Sequence, residues 1–181
     1  MELARKLKQS SLYEYLLLMY QVEDILRACK FDKKLIEQVA VARFGAHMGN
    51  ADSGIAWFWA MAEMMEEEEI EERGHLQHVV NLSNDLFQLH LRLINSPDEG
   101  DYHQLYQSGA LLEAELRQKG SEEDNLVSLF LAAIYGVWLL GLKKVQISDD
   151  TRQAVEQMSS LLALLSKYYA QVEAGEKELP E

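Results

Sequence analysis

The stretch SLYEYLLLMYQVEDILRAC, residues 11–29, decides the fold class. Leu12, Tyr15, Met19, Val22, Leu26 and Cys29 recur at alternating spacings of three and four, the period of one helix face. Ser11 with Glu14 three residues later reads as a capping box that opens this helix. No stretch of the chain offers convincing strand alternation, and no internal repeat is visible.

Outward from this helix, the pattern continues. A second helix follows Asp32, through KKLIEQVAVARF. GAHMGNADSG is a glycine-rich loop ending in an expected N-cap at Asp52 or Ser53. A third helix runs from Ile55 into a run of glutamates, and a fourth from near His75 to Ile94. Gly74 either breaks or kinks the chain between them, since glycine permits both. A fifth helix covers Tyr102 to Lys119; Ser121 and Asp124 read as the cap of a sixth, and Ser148 as the cap of a seventh. The sixth is apolar nearly all round and is expected at the centre, with Ala132, Ala133 and Gly136 allowing a close neighbour. The expected fold is an all-α, antiparallel bundle of six or seven helices. It forms a single domain over residues 1–175, with a flexible acidic C-terminal tail at 176–181.

The composition narrows function. The net charge of -13 is uneven: residues 1–43 carry +2, residues 44–101 carry -10 and residues 102–181 carry -5. Such a chain repels phosphate backbones, so no nucleic acid is expected as a partner. The single cysteine, Cys29, excludes an internal disulfide framework and reads as a packed thiol. The N-terminal stretch lacks the pattern of a signal peptide. The longest apolar run, Leu126 to Leu142, falls short of the ~18 residues of a membrane span. The expectation is a cytoplasmic protein with no membrane partner and no cofactor.

Candidate chemistry centres on MMEEEEIEERGHLQHVV, residues 64–80. On a helix Glu72, His75 and His78 could share a face and supply metal ligands. A carboxylate di-iron bundle needs two Glu-x-x-His pairs, and Glu72-Arg-Gly-His75 is the single such pair here. On the fourth helix His78 falls on the wet side with Asn81 and Asp85, and His75 at the boundary, opposite an apolar arc that includes Leu76, Val79 and Val80. The acidic run therefore reads first as a solvated helix end. His90 lies on the apolar arc and reads as a core histidine with one hydrogen-bond partner.

Glu23 is the unusual acid. Its direction falls among Leu12, Leu16, Met19 and Leu26, so it should point into the core and need partners. Arg27, one turn later, could pair with it, and Tyr20 could donate a hydrogen bond. The set Glu23, Arg27, Tyr20 and His90 is either a buried polar network or a ligand-binding group. In AWFWAMAEMM, Trp57, Trp59, Met61 and Met64 surround the helix and offer an adaptable interaction surface, with core packing as the plainer reading. No GxSxG elbow, P-loop or GxGxxG is present.

Three segments carry a resemblance: SLYEYLLLMYQVEDILRA at 11–28, EERGHLQHVVNLSNDLFQLH at 71–90, and LKKVQIS with TRQAVEQMSSLLALLSKYY within 142–169. Together they resemble a bacterial family of all-helical proteins of about this length, catalogued only as a domain of unknown function. Residues 44–54 stand outside that pattern. The resemblance implies an all-helical intracellular protein and transfers no site residue.

Two readings of function follow. The first is a non-enzymatic protein-interaction or scaffold module that self-associates as a homodimer or meets a protein partner. The second is a small-molecule- or metal-binding bundle, a reading that extends to an enzyme, using Glu23 and Arg27 or Glu72, His75 and His78.

Overall fold

The computed structural model describes residues 1–178, and every regular element among them is helical. Eight α-helices follow in order: α1 (Glu2–Ser10), α2 (Leu12–Ala28), α3 (Lys33–Phe44), α4 (Ala51–Glu67), α5 (Gln77–Asn95), α6 (Gly100–Gln118), α7 (Leu126–Leu142) and α8 (Asp149–Glu173). The count exceeds the expected six or seven because residues 2–10 form a helix of their own. Contacts divide the chain into two compact units, Met1–Asn81 and Leu82–Glu181.

In the first unit α1 packs on α2, α3 on α4, and α2 on both α3 and α4. Its core contains Leu16, Met19, Val22 and Leu26 of α2, Ile36 and Ala40 of α3, and Phe58, Ala62 and Met65 of α4. The face read from residues 11–29 is the buried one, and Cys29 lies buried at its end. Burial pushes the Cys29 thiol up, which suits a packed rather than a reactive group.

Several caps differ from expectation. Ser11 does precede α2, but its side chain makes no capping bond. Its backbone serves two helices at once: its N–H donates to Leu7 O of α1, and its carbonyl accepts from Tyr15 N. The cap of α4 is Asn50, not Asp52 or Ser53; the Asn50 side chain accepts from Ser53 N at 2.9 Å. The α7 cap is Asn125, not Ser121 or Asp124. Its Oδ1 accepts from Ser128 N at 3.0 Å, and Ser128 Oγ accepts from Asn125 N at 3.3 Å. Ser148 caps α8 as read from the sequence, and Asp32, after which the sequence placed a helix, caps α3. Gly74 ends the question of break or kink: residues 68–76 lie outside any helix, and Gly74 has φ +93°.

In the second unit α6 packs against α8, and α7 against both. α7 is central only in its first half. Leu126, Val127, Leu129, Phe130, Leu131 and Ile134 are buried, and no residue of the helix beyond Ile134 is. Gly136 is not where helices meet, since a Cβ there would touch nothing within 4 Å. The close approach is at Gly109 on α6, where a Cβ would stand 2.9 Å from Leu161 of α8 and 3.6 Å from Phe130 of α7.

The expected tail begins with Lys177 bonded to Glu99 and lying 4.4 Å from the centre of the Tyr168 ring; residues 179–181 of that tail lie outside the described residues.

The packing at Gly109 yields a test. Overfilling such a contact costs about 1–3 kcal/mol. Gly109→Val is therefore expected to lower the urea midpoint, despite valine's better helix propensity, while Gly136→Val at the open position leaves it nearly unchanged.

Candidate functional site

The acid that sequence places toward the core is fully buried: Glu23 on α2 is 0% exposed. Its two oxygens are both used. Oε1 accepts from the backbone N–H of Leu76 at 3.0 Å, and Oε2 lies 2.5 Å from His75 Nδ1. A carboxylate oxygen accepts, so the contact is a hydrogen bond when His75 Nδ1 is the donor. The imidazole also stacks on Tyr20, with ring centres 3.8 Å apart and planes 12° apart.

The position of Leu76 explains the buried charge. Leu76 precedes α5, and its carbonyl accepts from Val79 N and Val80 N. The first N–H groups of a helix have no partner within it, and they form the positive end of its dipole. Glu23 supplies an acceptor at that end from a different helix. Glu68, just beyond α4, supplies another, accepting from Gln77 N at 2.6 Å.

Arg27, one turn after Glu23, does not pair with it. Its guanidinium reaches Asp24 Oδ1 at 3.3 Å and donates to the carbonyls of Ile70 at 3.2 Å and Gly74 at 2.5 Å. The two residues therefore divide the work on segment 68–76: Glu23 binds donors at its end, and Arg27 binds acceptors along it. Carbonyls exposed by the left-handed residues Glu69 (φ 56°) and Gly74 need such a donor.

His78 does not sit on a wet face. Its Nε2 lies 3.3 Å from the Tyr15 hydroxyl, and its Nδ1 is buried without a partner. Burial, reinforced by Lys8, pushes its pKa down. Val80, placed by sequence on the apolar arc, is an exposed residue. Glu72 is exposed too, and among the described residues no three His, Cys, Asp or Glu side chains come together as a metal site.

His90 stands apart in the second unit, buried, with Nδ1 2.7 Å from the Tyr102 hydroxyl. Phe87 and Tyr106 rings flank it at 5.9 and 4.9 Å. Burial pushes the His90 pKa down to about 4.

Trp57, Trp59, Met61 and Met64 of α4 are all half-buried, while Phe58 and Met65 of the same helix are buried. Trp57 meets Phe58 edge-on at 5.1 Å, and Trp59 Nε1 donates to the Lys33 carbonyl at 3.4 Å. Met61 and Met64 share that intermediate exposure. The more open large apolar side chains lie elsewhere, among them Trp138, Leu140 and Leu142 of α7.

Sequence reasoning missed Glu68 and the Tyr15–His78 pair. Glu68 has no distinguishing mark inside a run of six glutamates. Tyr15 and His78 are 63 residues apart and joined by no local pattern.

The arrangement has the form of an all-helical protein whose polar cluster fixes a connecting segment, with one imidazole nitrogen, His75 Nε2, left without a hydrogen bond among the described residues. The chain belongs to the family described as Domain of unknown function (DUF4924), whose model matches residues 1–176. That match includes residues 44–54, which the sequence reading had set outside the pattern. No curated protein and no solved structure matches the chain.

Two outcomes are expected of these side chains. Removing an acceptor from a buried donor costs about 1–3 kcal/mol, more for a charged group. Glu23→Ala should therefore lower stability by at least that amount, and hydrogen exchange should accelerate most at Leu76 and its neighbours in 68–80. For His90, the folded chain takes up its proton less readily than the unfolded chain. Its contribution is intact above about pH 6.5 and is lost as pH falls toward about 4, amounting to roughly 3 kcal/mol. Urea unfolding at successive pH values should show that loss in the wild type and a shallower one in His90→Gln.

Proposed function

We propose that the chain is a protein-interaction module that pairs with a second copy of itself through the C-terminal half of α7. One observation carries this reading. α7, LVSLFLAAIYGVWLLGL, has no charged residue in its 17 positions, yet only its first half is buried. Trp138 is 37% exposed, Leu140 41%, Leu142 56%, and Val145 just beyond the helix 47%. Tyr135 stacks on Trp138 with ring centres 5.5 Å apart, making a flat aromatic shelf.

A helix apolar on every side is stable when covered on every side. Tyr135, Trp138 and Leu142 recur at spacings of three and four and so share one side of α7, with Leu140 on the other; exposed apolar faces of this kind mark interaction sites. A second copy is the favoured occupant because a two-fold contact sets the same patch against itself, apolar against apolar. Gly136 and Gly141 have open space where a Cβ would stand, so another helix could come close there. Outside this patch the net charge of -13 favours solubility over indiscriminate association and opposes contact with nucleic acid. No described helix is long and apolar enough to cross a membrane. A cytoplasmic setting fits the lone, buried, unpaired Cys29.

Sedimentation equilibrium over a wide concentration range tests this. The wild type should dimerise. The double variant Trp138→Glu, Leu142→Glu, with both changes on one side of α7, should remain monomeric with unchanged helix content. A wild type that stays monomeric at the highest concentrations overturns the reading.

A further inference from the structure

A second, independent feature lies in the first unit. A cleft of about 510 Å³ opens between α1, Tyr15 of α2 and the start of α4. That volume is in the range of small-molecule sites. Tyr15 and Trp57 supply aromatic surface, Arg5 and Lys8 supply charge, and Asn50 and Ser53 supply polar groups.

The charges are the informative part. Arg5 and Lys8 are three residues apart on α1, so they share a side of the helix and repel each other. Their neighbour Lys6 is neutralised by Glu2 at 2.7 Å. Among the described residues, neither Arg5 nor Lys8 has an ion-pair partner. Lys8 instead stands 5.7 Å from the centre of the Tyr15 ring. Glu2, the acid on the cleft wall, is already taken by Lys6. In a chain with 30 acidic and 17 basic side chains, two adjacent cations with no ion-pair partner among the described residues stand over a concave surface.

The walls specify the rest of the ligand. Trp57 is a large aromatic side chain left half-buried at the cleft, and Tyr15, which is buried, lines the cleft from another helix. A flat apolar body laid against the Trp57 ring gains burial and stacking. The segment beneath is held to α1: Glu2 N donates to Met48 O at 3.3 Å, and Gly49, at φ +76°, leaves room for the Glu2 carboxylate, which a Cβ would meet at 2.7 Å. The cleft floor is therefore built rather than incidental.

We propose that this cleft binds a small soluble anion with a flat apolar body, the chemistry of an aromatic phosphate monoester or carboxylate. Arg5 and Lys8 bind the anionic group, and Trp57 and Tyr15 bind the ring. This site is independent of α7 pairing, and either can fail without the other.

Phenyl phosphate is the probe, followed by amide NMR on the full chain, with inorganic phosphate and phenol titrated in parallel. The expected result is saturable shifts in α1, around Tyr15 and in residues 48–57, and not in α7. Arg5→Gln with Lys8→Gln, two exposed substitutions, should weaken binding tenfold or more while leaving the remaining spectrum unchanged. Trp57→Leu should weaken phenyl phosphate and leave inorganic phosphate as it was. Absence of saturable shifts in the cleft overturns the proposal. So does undiminished binding by the double variant, or binding of phenol or of inorganic phosphate as tight as that of phenyl phosphate.

Discussion

The first unit depends on one carboxylate. Glu23 is fully buried, a position a charge tolerates only when its lone pairs are filled. Here they are filled by the opening N–H of a helix and by an imidazole locked against Tyr20. The charge faces the positive end of α5, so burial and electrostatics act together rather than in opposition. Arg27, one turn on, repeats the logic with opposite sign, meeting carbonyls of the same segment. Two residues at helical spacing thus present an acceptor and a donor to a stretch that has no regular hydrogen bonding of its own.

The second unit works differently. Its most deeply buried polar pair is neutral, an imidazole and a phenol, His90 and Tyr102, each held in its uncharged form by burial, while the buried Glu99 is matched by Lys177. Helix contact there is controlled by a missing side chain at Gly109, where α6 meets α8. α7 contributes its first half to that packing and leaves the second half partly exposed. The contrast between the halves is not chemical, since both are apolar.

That contrast also marks what the sequence could convey. The period of residues 11–29 identified a buried helical face, and the inward direction of Glu23 followed from the same wheel. Its partner did not. Helical arithmetic put Arg27 within reach, but a carboxylate facing a helix start has a better choice in a backbone N–H. His75 could not be placed by a wheel because it precedes the helix, which starts at Gln77. His78 fell opposite the apolar arc, where α2 brings Tyr15 against it. The apolarity of α7 said that burial was wanted, and the circumference of the helix cannot say which part obtains it. Of the caps, Ser148 was legible. In GNADS and SEEDN the cap is an asparagine, passed over for the neighbouring serines and aspartates.

The acceptors at the start of α5 have a further consequence in time. Glu23 and Glu68 both precede that helix in the chain, by 53 and 9 residues from the N–H groups they bind. A chain made from its N-terminus therefore presents the acceptors before the donors exist. When α5 leaves the ribosome, the acceptors for its first turn, on α2 and at the end of α4, have already been made. Helix initiation is the costly step for an isolated segment, and here its partners lie upstream in the chain.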